Sequence, residues 1–402
     1  MVPGPIARRP FSLYNEREST RFPGKTARGK MNSMQNILNN SALYIDRSVL
    51  VQNISAIERS LSPGAKIIPV LKGDAYGLGM EKLAETLSPL PSVHSFAVAH
   101  AWEGIRLREA GVEKEILLLG QPVLLAVPAS AEADLTFTVG RLALAESLAG
   151  EGRRLGRSVK VQLKVDTGLH RLGVAPGEEL AALLAEVAAA GENLSLRGVF
   201  SHFADTGDPA LCRKQYELYL RSLDQVEAAG VSVPLRHICD SAGSEAYPEY
   251  HLDAVRLGRR LIMDNPDHPT GDIREIASWR TSVTMVHRRA AGEKLGYGGS
   301  YTLHRDSVVA VIGVGYGDGL IPDWAERHAP VLIRGQRCPV LACCMDQAMV
   351  DVTDLAGDVA PGEEVVLFGD GLSSQEIAAL TLANEGCGIT TAIPARAARV
   401  YL

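Results

Sequence analysis

Short apolar runs alternate with amphipathic stretches along the chain from about residue 66 to about residue 258. Within the amphipathic stretches, apolar residues recur at helical spacing, as Leu180, Leu183 and Val187 do. The apolar runs are brief and end in polar or glycine-containing segments, which is typical of buried strands. About eight strands are predicted in this way: Ile67–Leu71, Ser95–Val98, Glu115–Leu119, Thr136–Val139, Val159–Val165, Leu194–Phe200, Leu235–Cys239 and Ala254–Leu257.

A succession of strands that are mostly followed by helices indicates a sheet of parallel strands. Eight such units suffice to close the sheet, so we predict an α/β fold, a TIM-like (β/α)8 barrel, over residues 41–275. A doubly wound open sheet is the structural alternative. In a closed barrel the candidate functional residues should follow the carboxyl ends of the strands.

The pattern changes after about residue 275, where short strands are separated by Gly, Pro and Asp turns and helical periodicity is scarce. This pattern of short strands and turns predicts a second, mostly β domain over residues 276–402. A short strand at 42–46 precedes the barrel and is expected either to begin it or to pack with the second domain. The strands predicted for the second domain are Val308–Val314, Val331–Ile333, Val340–Ala342, Met349–Val352 and Glu364–Leu367.

Residues 1–40 stand apart from both domains. The first thirty residues are rich in Arg, Lys and Pro and show no hydrophobic period. No apolar segment follows these charges, which argues against a secretory signal. We therefore expect a disordered N-terminal tail, or sequence upstream of a later natural start such as Met31 or Met34.

Composition excludes several classes of function. The net charge of −6 gives no reason to expect nucleic-acid binding, and the chain has no apolar run of about 20 residues that would predict a membrane span. The six cysteines form no CxxC pair and lie near no His cluster, so neither a metal site nor a disulfide framework is expected. Reduced thiols favour a cytoplasmic protein.

The first candidate motif, Val70–Gly79, places Lys72 at the end of an apolar strand. A cation there is costly unless it has a partner or a function. A desolvated lysine loses its proton readily and can form a Schiff base with an aldehyde. The glycines of the motif allow the backbone to approach a ligand closely. A lysine that only extends its amine to solvent from the strand end is the alternative.

Four further motifs follow other predicted strands: Leu163–Gly173, Ser201–Asp205, Asp240–Ser244 and Val255–Arg260. Arginines in them suit a carboxylate or a phenolic oxygen, and the small hydroxyls and free amides of the Asp240–Ser244 segment suit a phosphate. Each motif alone is weak, because a structural ion pair or a hydrogen-bonded core histidine would explain it equally well.

Taken together, the motifs resemble the alanine racemase family of fold type III pyridoxal-phosphate-dependent amino-acid racemases. The five barrel motifs stand in the family's order, and the second domain adds matching segments at 296–302, 315–319 and 344–351. The match runs from about residue 42 to the C-terminus. An ordered set of this size is far more specific than any one of its members.

The resemblance implies pyridoxal 5′-phosphate as the cofactor, with Lys72 holding it as a Schiff base. Lys164 is the position that is often carbamylated in the family, which would place an anion beside Arg171. The other implied cofactor contacts are Tyr76, Ser241 and the backbone amides of Gly258 and Arg259 to the phosphate, Arg256 with support from His202 to the pyridine nitrogen, and Arg171 to the phenolic oxygen.

The implied reaction is racemisation of a small amino acid by two bases. Lys72 would serve one face of the substrate Cα, and Tyr297 from a partner subunit would serve the other, each acting in turn as base and acid. Tyr316 and Met345 would also approach the substrate from the partner, and Arg171 from the barrel. The resemblance therefore implies a homodimer with shared active sites.

Alanine is the expected substrate, and its D-isomer would supply cell-wall peptidoglycan. A serine or broad-specificity racemase on the same scaffold is the alternative; a decarboxylase or a non-catalytic cofactor-binding protein is less favoured, because neither needs Tyr297. The sequence departs from the family at Leu78, Arg259, Arg260, Met263 and Cys387, the last near the usual position of a phosphate-binding tyrosine. Two extra arginines would suit a larger or more anionic substrate.

Overall fold

The computed structural model describes residues 40–265, 270–381, 383 and 385–402. The predicted N-terminal tail, apart from Asn40, lies outside the described residues. The described chain forms an α/β barrel followed by a β-rich part. None of its helices is both long enough and apolar enough to cross a membrane. All six cysteines lie in the described part and are free thiols.

The barrel strands are short, and most of their residues are buried. A parallel strand covered on both faces reads as a continuous apolar run, which is why the sequence pattern revealed these strands. Their bounds are β2 Lys66–Pro69, β3 Phe96–Val98, β4 Ile116–Leu118, β5 Thr136–Val139, β6 Val159–Lys164, β7 Leu194–Phe200, β8 Arg236–His237 and β9 Ala254–Leu257.

The barrel is closed. Strands β3 to β8 form a parallel sheet in sequence order, and β2 pairs with β9 in parallel. One seam is joined by a parallel bridge between Val70 and Ala97. At the other seam, the Arg256 N–H donates to the Cys239 carbonyl at 3.0 Å. The predicted (β/α)8 barrel followed by a β-rich domain is thus confirmed, and the open-sheet alternative is wrong.

Helices surround the barrel and bury their apolar stripes against it. The longest, Pro209–Ala228, begins where the Asp208 carboxylate accepts the Ala210 and Leu211 N–H groups, and Pro209 occupies its first turn. The helices of this part are α1 Arg47–Ser60, α2 Met80–Leu87, α3 Ala101–Glu109, α4 Val127–Glu132, α5 Leu142–Leu155, α6 Glu178–Ala190, α7 Pro209–Ala228, α8 Ser241–Ala246 and α9 Arg259–Ile262.

The second part is built on an eight-stranded sheet of order β13-β16-β15-β14-β17-β10-β1-β18, with β10 also pairing β13. A separate two-stranded hairpin joins β11 to β12. The strands are β1 Ser41–Ile45, β10 Ala277–Arg289, β11 Lys294–Leu295, β12 Tyr301–Thr302, β13 Ser307–Ile312, β14 Pro330–Ile333, β15 Gln336–Cys343, β16 Ala348–Asp351, β17 Glu364–Phe368 and β18 Ala398–Tyr401, and the helices are α10 Asp323–Glu326, α11 Ser374–Leu380 and α12 Gly386–Ala392.

The first strand, β1, belongs to this second sheet. It pairs antiparallel with β10, with Leu43 opposite Trp279, and parallel with β18, with Tyr44 beside Val400. Strand β1 therefore lies between two strands that come much later in the sequence, and the chain enters the barrel only after it.

The longest strand, β10, was not predicted. Its residues Ala277–Arg289 alternate buried and exposed positions at first and then become largely polar. A search for continuous apolar runs does not detect such a strand, because only one face is covered by the core.

Candidate active site

The structure brings nine of the residues predicted from the sequence to a single cavity of about 640 Å³ at the carboxyl ends of the barrel strands. This is the end of a barrel at which functional residues are expected, since the loops after the strands meet there. The nine residues are Lys72, Tyr76, Lys164, Arg171, His202, Ser241, Arg256, Gly258 and Arg259.

Lys72 opens a left-handed turn, Lys72–Tyr76, just after β2. Asp74, Ala75 and Tyr76 all have φ between 54° and 59°, in the left-handed region. Each such residue costs roughly 1–2 kcal/mol relative to ordinary backbone, because its Cβ crowds the following carbonyl. Strain of this kind persists only where surrounding contacts hold the backbone in place.

Two carboxylates hold the turn. The buried Glu103 accepts the Gly73 N–H at 2.6 Å with one oxygen and the Ala99 and His100 N–H groups at 2.9 Å with the other. Asp74 accepts the Met80 N–H at 3.0 Å, at the start of α2. The turn is thereby tied to the end of β3 and to the helix that follows it, which places Lys72 and Tyr76 on the cavity wall.

Tyr76 packs directly against Gly258. A Cβ on Gly258 would lie 2.0 Å from the Tyr76 hydroxyl oxygen, so only glycine fits there. Burial raises the pKa of Tyr76 above its usual range, and its hydroxyl therefore keeps its proton and can donate. The Ser241 hydroxyl accepts the Gly258 and Arg260 N–H groups at 3.2 and 3.3 Å, which leaves its own proton to donate. This group of donors suits an anion.

Arg256 is buried at the base of the cavity, and both of its terminal nitrogens have acceptors. It donates to His237 Nδ1 at 2.6 Å and to His202 Nδ1 at 2.9 Å, and also to the Ser201 and Ile238 carbonyls. Burial lowers the pKa of Arg256 to about 10, so the guanidinium remains charged at neutral pH. Its planar fork is thus fixed in one orientation.

Both histidines bonded to Arg256 are neutral. Burial and the Arg256 charge lower the pKa of His202 to about 2, and the same two causes lower the pKa of His237. Because each accepts at Nδ1, each carries its proton on Nε2; that of His237 donates to the Gln162 side chain at 2.8 Å. Near neutral pH, neither histidine can therefore pass a proton through Arg256 to a ligand that faces it.

Lys164 lies near Arg256 and Arg171, and among the described residues no carboxylate is hydrogen-bonded to it. Its side chain is buried, and its Nζ lies 4.9 Å from the centre of the Phe200 ring. Burial lowers its pKa well below the usual value, and the nearby charges of Arg256 and Arg171 lower it further. Both effects favour the neutral form of the Lys164 amine.

Three predicted site residues do not line this cavity. Tyr297, Tyr316 and Met345 belong to the second part of the chain, and their exposed fractions are 81%, 46% and 52%. The Tyr316 and Met345 segments lie side by side, since the Gly317 N–H donates to the Met345 carbonyl at 2.8 Å. Tyr297 lies in the turn between β11 and β12. A single chain thus presents these side chains on its surface, apart from Lys72.

Several residues that shape the site were not predicted from the sequence. His237 and Gln162 orient Arg256, and Glu103 orients the turn after Lys72. His237 and Gln162 could have been found from the sequence, because each is a polar residue in the middle of an apolar strand and such a residue needs a buried partner. Glu103 gave no such signal, because it lies on the helix α3, where a glutamate is ordinary.

Comparison with known proteins decides the family. The family model for the N-terminal domain of alanine racemase matches residues 45–266, and that for its C-terminal domain matches residues 276–401. The chain belongs to the alanine racemase family. Among its curated relatives, the alanine racemases of Desulfovibrio desulfuricans and Symbiobacterium thermophilum are both 36% identical to it, over 89% and 87% of this chain and 97% and 95% of their own.

Solved structures of the family share the fold. The alanine racemase of Clostridium difficile 630 has a TM-score of 0.84 at 30% identity, covering 90% of this chain and 96% of its own. That of Bartonella henselae, solved with covalently bound pyridoxal phosphate, has a TM-score of 0.81 over 90% and 99% of the two chains; at 24% identity it shows likeness of fold alone.

Proposed function

We propose that this chain is a pyridoxal-phosphate-dependent alanine racemase that works as a homodimer. The observation that carries the proposal is one cavity that combines the Lys72 amine, an anion-binding group at Ser241 and Gly258, and the buried fork of Arg256. Membership of the alanine racemase family and the names of the relatives supply the substrate. The six free thiols fit a reducing cytoplasm.

The residues present fit the cofactor. Ser241, Tyr76 and the amides of Gly258 and Arg259 would hold the phosphate, and the glycine leaves the space that a Cβ would fill. Lys72 would bind the aldehyde carbon covalently through Nζ. Arg256 would donate to the pyridine nitrogen, and His202 would keep the guanidinium in place. Arg171 would face the phenolic oxygen and the substrate carboxylate.

Pyridoxal phosphate, when bound, withdraws electrons from the Cα of an attached amino acid and so weakens the Cα–H bond. An arginine opposite the pyridine nitrogen limits this withdrawal, because a guanidinium does not give up its proton to the ring. The modest withdrawal favours prompt return of the proton over side reactions. The neutral His202 and His237 behind Arg256 preserve this state, since neither can deliver a proton to it.

Racemisation needs a base on each face of Cα. Lys72 Nζ would take or return the proton on one face, and the hydroxyl oxygen of Tyr297 of the partner subunit would do so on the other. Within one chain, Tyr297 is 81% exposed and lies outside the cavity, and Tyr316 and Met345 are also exposed, as residues that complete a second copy's site would be.

The test is a chiral assay of the holoenzyme over a panel of L-amino acids. We expect alanine to be racemised fastest, and Lys72→Ala to lose both the yellow colour of the bound cofactor and at least about a thousandfold in rate, because it removes one of the two bases. Lys214→Ala on the exposed surface of α7 is the matched control and should keep both. A colourless wild-type protein, or serine turned over faster than alanine, would contradict the proposal.

A further inference from the structure

The side chain of Arg259 lines the cavity, although the cofactor contact proposed for this residue involves only its backbone amide. The side chain is 11% exposed and lines the cavity with Tyr76, Ser241 and Gly258. Its Nη2 donates to the Glu245 carboxylate at 3.1 Å, and its Nε lies 3.8 Å from Glu385. Its Nη1 is buried and has no hydrogen-bond partner within the described part of the chain.

Arg260, the next residue, is positioned differently. Its Nη1 donates to the Ser244 hydroxyl and its Nη2 to the Ser60 hydroxyl, at 3.1 and 2.9 Å. It shares the carboxylate of the buried Glu245, at 3.4 Å from Nε. One buried carboxylate thus faces two guanidinium groups, and the second carboxylate near Arg259, that of Glu385, is half exposed to solvent.

The donors around Arg259 define what it can bind. The Ser241 and Tyr76 hydroxyls and the amide that follows Gly258 adjoin it, and all of them donate. The neighbouring Cys387 thiol contributes little, because burial raises its pKa to about 11 and it donates to Glu385 instead. A buried guanidinium N–H without an acceptor is costly, and an anionic oxygen would repay that cost.

Resting on the function proposed above, we propose that the Arg259 guanidinium binds the phosphate ester of pyridoxal phosphate and supplies the positive charge that the hydroxyls and amides lack. Two other basic side chains of the cavity, those of Lys164 and Arg256, both lie over the Phe200 ring. Among the arginines that line the cavity, Arg259 is the one that follows Gly258, the residue against which Tyr76 packs. The residue acts on cofactor retention rather than on the substrate.

The test compares two ligands that differ only in the phosphate. The affinities of the apoprotein for pyridoxal phosphate and for pyridoxal are measured by absorbance titration for wild type, Arg259→Met and Arg259→Lys. We expect Arg259→Met to bind pyridoxal phosphate about 10- to 100-fold more weakly and pyridoxal within about twofold of wild type. Arg259→Lys, which keeps the charge, should recover part of the loss.

Controls separate this role from a structural one. Arg213→Met on the exposed surface of α7 makes the same change of net charge and should leave both affinities unchanged. Glu245 keeps Arg260 and Asn265 as partners in Arg259→Met, so thermal unfolding of the apoprotein should shift little.

Each other outcome overturns the inference. Equal weakening of both ligands would assign Arg259 to the fold or to the ring, and an unchanged preference for the phosphorylated ligand would remove it from phosphate binding. A changed KM for anionic amino acids with unchanged cofactor affinity would make it a substrate residue. Wild-type protein that binds neither ligand would reject the proposed function itself, and this inference with it.

Discussion

At the scale of single residues, the most unusual group is the Lys164 amine. It is buried near Arg256 and Arg171, and burial and their charges hold its pKa well below the usual value. An ordinary lysine, with a pKa of about 10.4, is protonated at neutral pH and does not react with carbon dioxide. A neutral amine can add carbon dioxide and release a proton, which yields a carbamate anion.

We predict that Lys164 is carbamylated at neutral pH. The anion would lie near two arginines, and its attraction to their charges would exceed what a neutral amine offers. Labelled bicarbonate should give one carbamate carbon resonance in wild type and in Lys214→Ala, but none in Lys164→Ala. We expect Lys164→Ala to lower kcat/KM roughly 10-fold. A wild-type protein without that resonance would leave Lys164 as a neutral amine.

Many individual residues of the site could be predicted from the sequence, and those that could not were hidden for physical reasons. Lys72, Arg256 and Ser241 carry chemistry that a strand end rarely needs, so their motifs stood out. The side chain of Arg259 did not, because its contact with Glu245 joins residues 14 positions apart that no periodic pattern links. Glu103 was hidden for the same reason: its partners lie at the ends of two other elements.

At the scale of elements, the left-handed turn after β2 depends on its carboxylates. Asp74 has φ of 55° and accepts the Met80 N–H at 3.0 Å. Asparagine tolerates this backbone conformation and keeps an acceptor oxygen, whereas alanine has neither advantage.

We predict that Asp74→Ala lowers the free energy of unfolding by roughly 1–2 kcal/mol, and Asp74→Asn by less than about 0.5 kcal/mol. Urea unfolding of the apoprotein measures both. Equal losses in the two variants would show that the carboxylate charge, rather than the acceptor and the conformation, stabilises the turn.

A second element-scale prediction concerns the start of α11. Glu275 accepts the Ser374 N–H at 3.1 Å, and burial raises its pKa from 4.5 to about 7. The raised pKa means that its contribution to stability is fully present below about pH 4.5 and is lost as the pH rises through 7.

Glu275→Gln should remove this pH dependence. Between pH 5 and pH 8 we expect the difference in unfolding free energy between variant and wild type to change by about 2 kcal/mol in favour of the variant. Urea unfolding at the two pH values measures it, with Glu217→Gln on the surface of α7 as control. A difference that stays constant with pH would contradict the prediction.

At the scale of the whole molecule, the two proposed bases come from different chains. A heterodimer of Lys72→Ala and Tyr297→Phe subunits would contain one intact site, built from Lys72 of one chain and Tyr297 of the other. Mixed in equal amounts with full exchange, the two inactive variants should recover roughly a quarter of the wild-type activity.

Subunit exchange is verified by giving the two variants different tags. As the control, each variant is mixed with a differently tagged copy of the same variant. Absence of recovery after verified exchange would place both bases in one chain.

The overall architecture followed from sequence because buried parallel strands leave a continuous apolar record. The apolar pattern is weaker at the barrel seams and in the second sheet. Strand β8 spans only Arg236–His237, and β10 is largely polar on one side. The partners of β1 could not be read from the sequence either, because pairing between strands hundreds of residues apart has no local signature.

That placement of β1 has a consequence for biosynthesis. Strand β1 leaves the ribosome before the whole barrel, yet its two neighbours, β10 and β18, are translated only after the barrel, and β18 is the last strand of all. The nascent barrel must therefore emerge with an unpaired β-strand at its leading end. Such an edge invites wrong pairing, so a chaperone or rapid release of the finished chain should matter most for this segment.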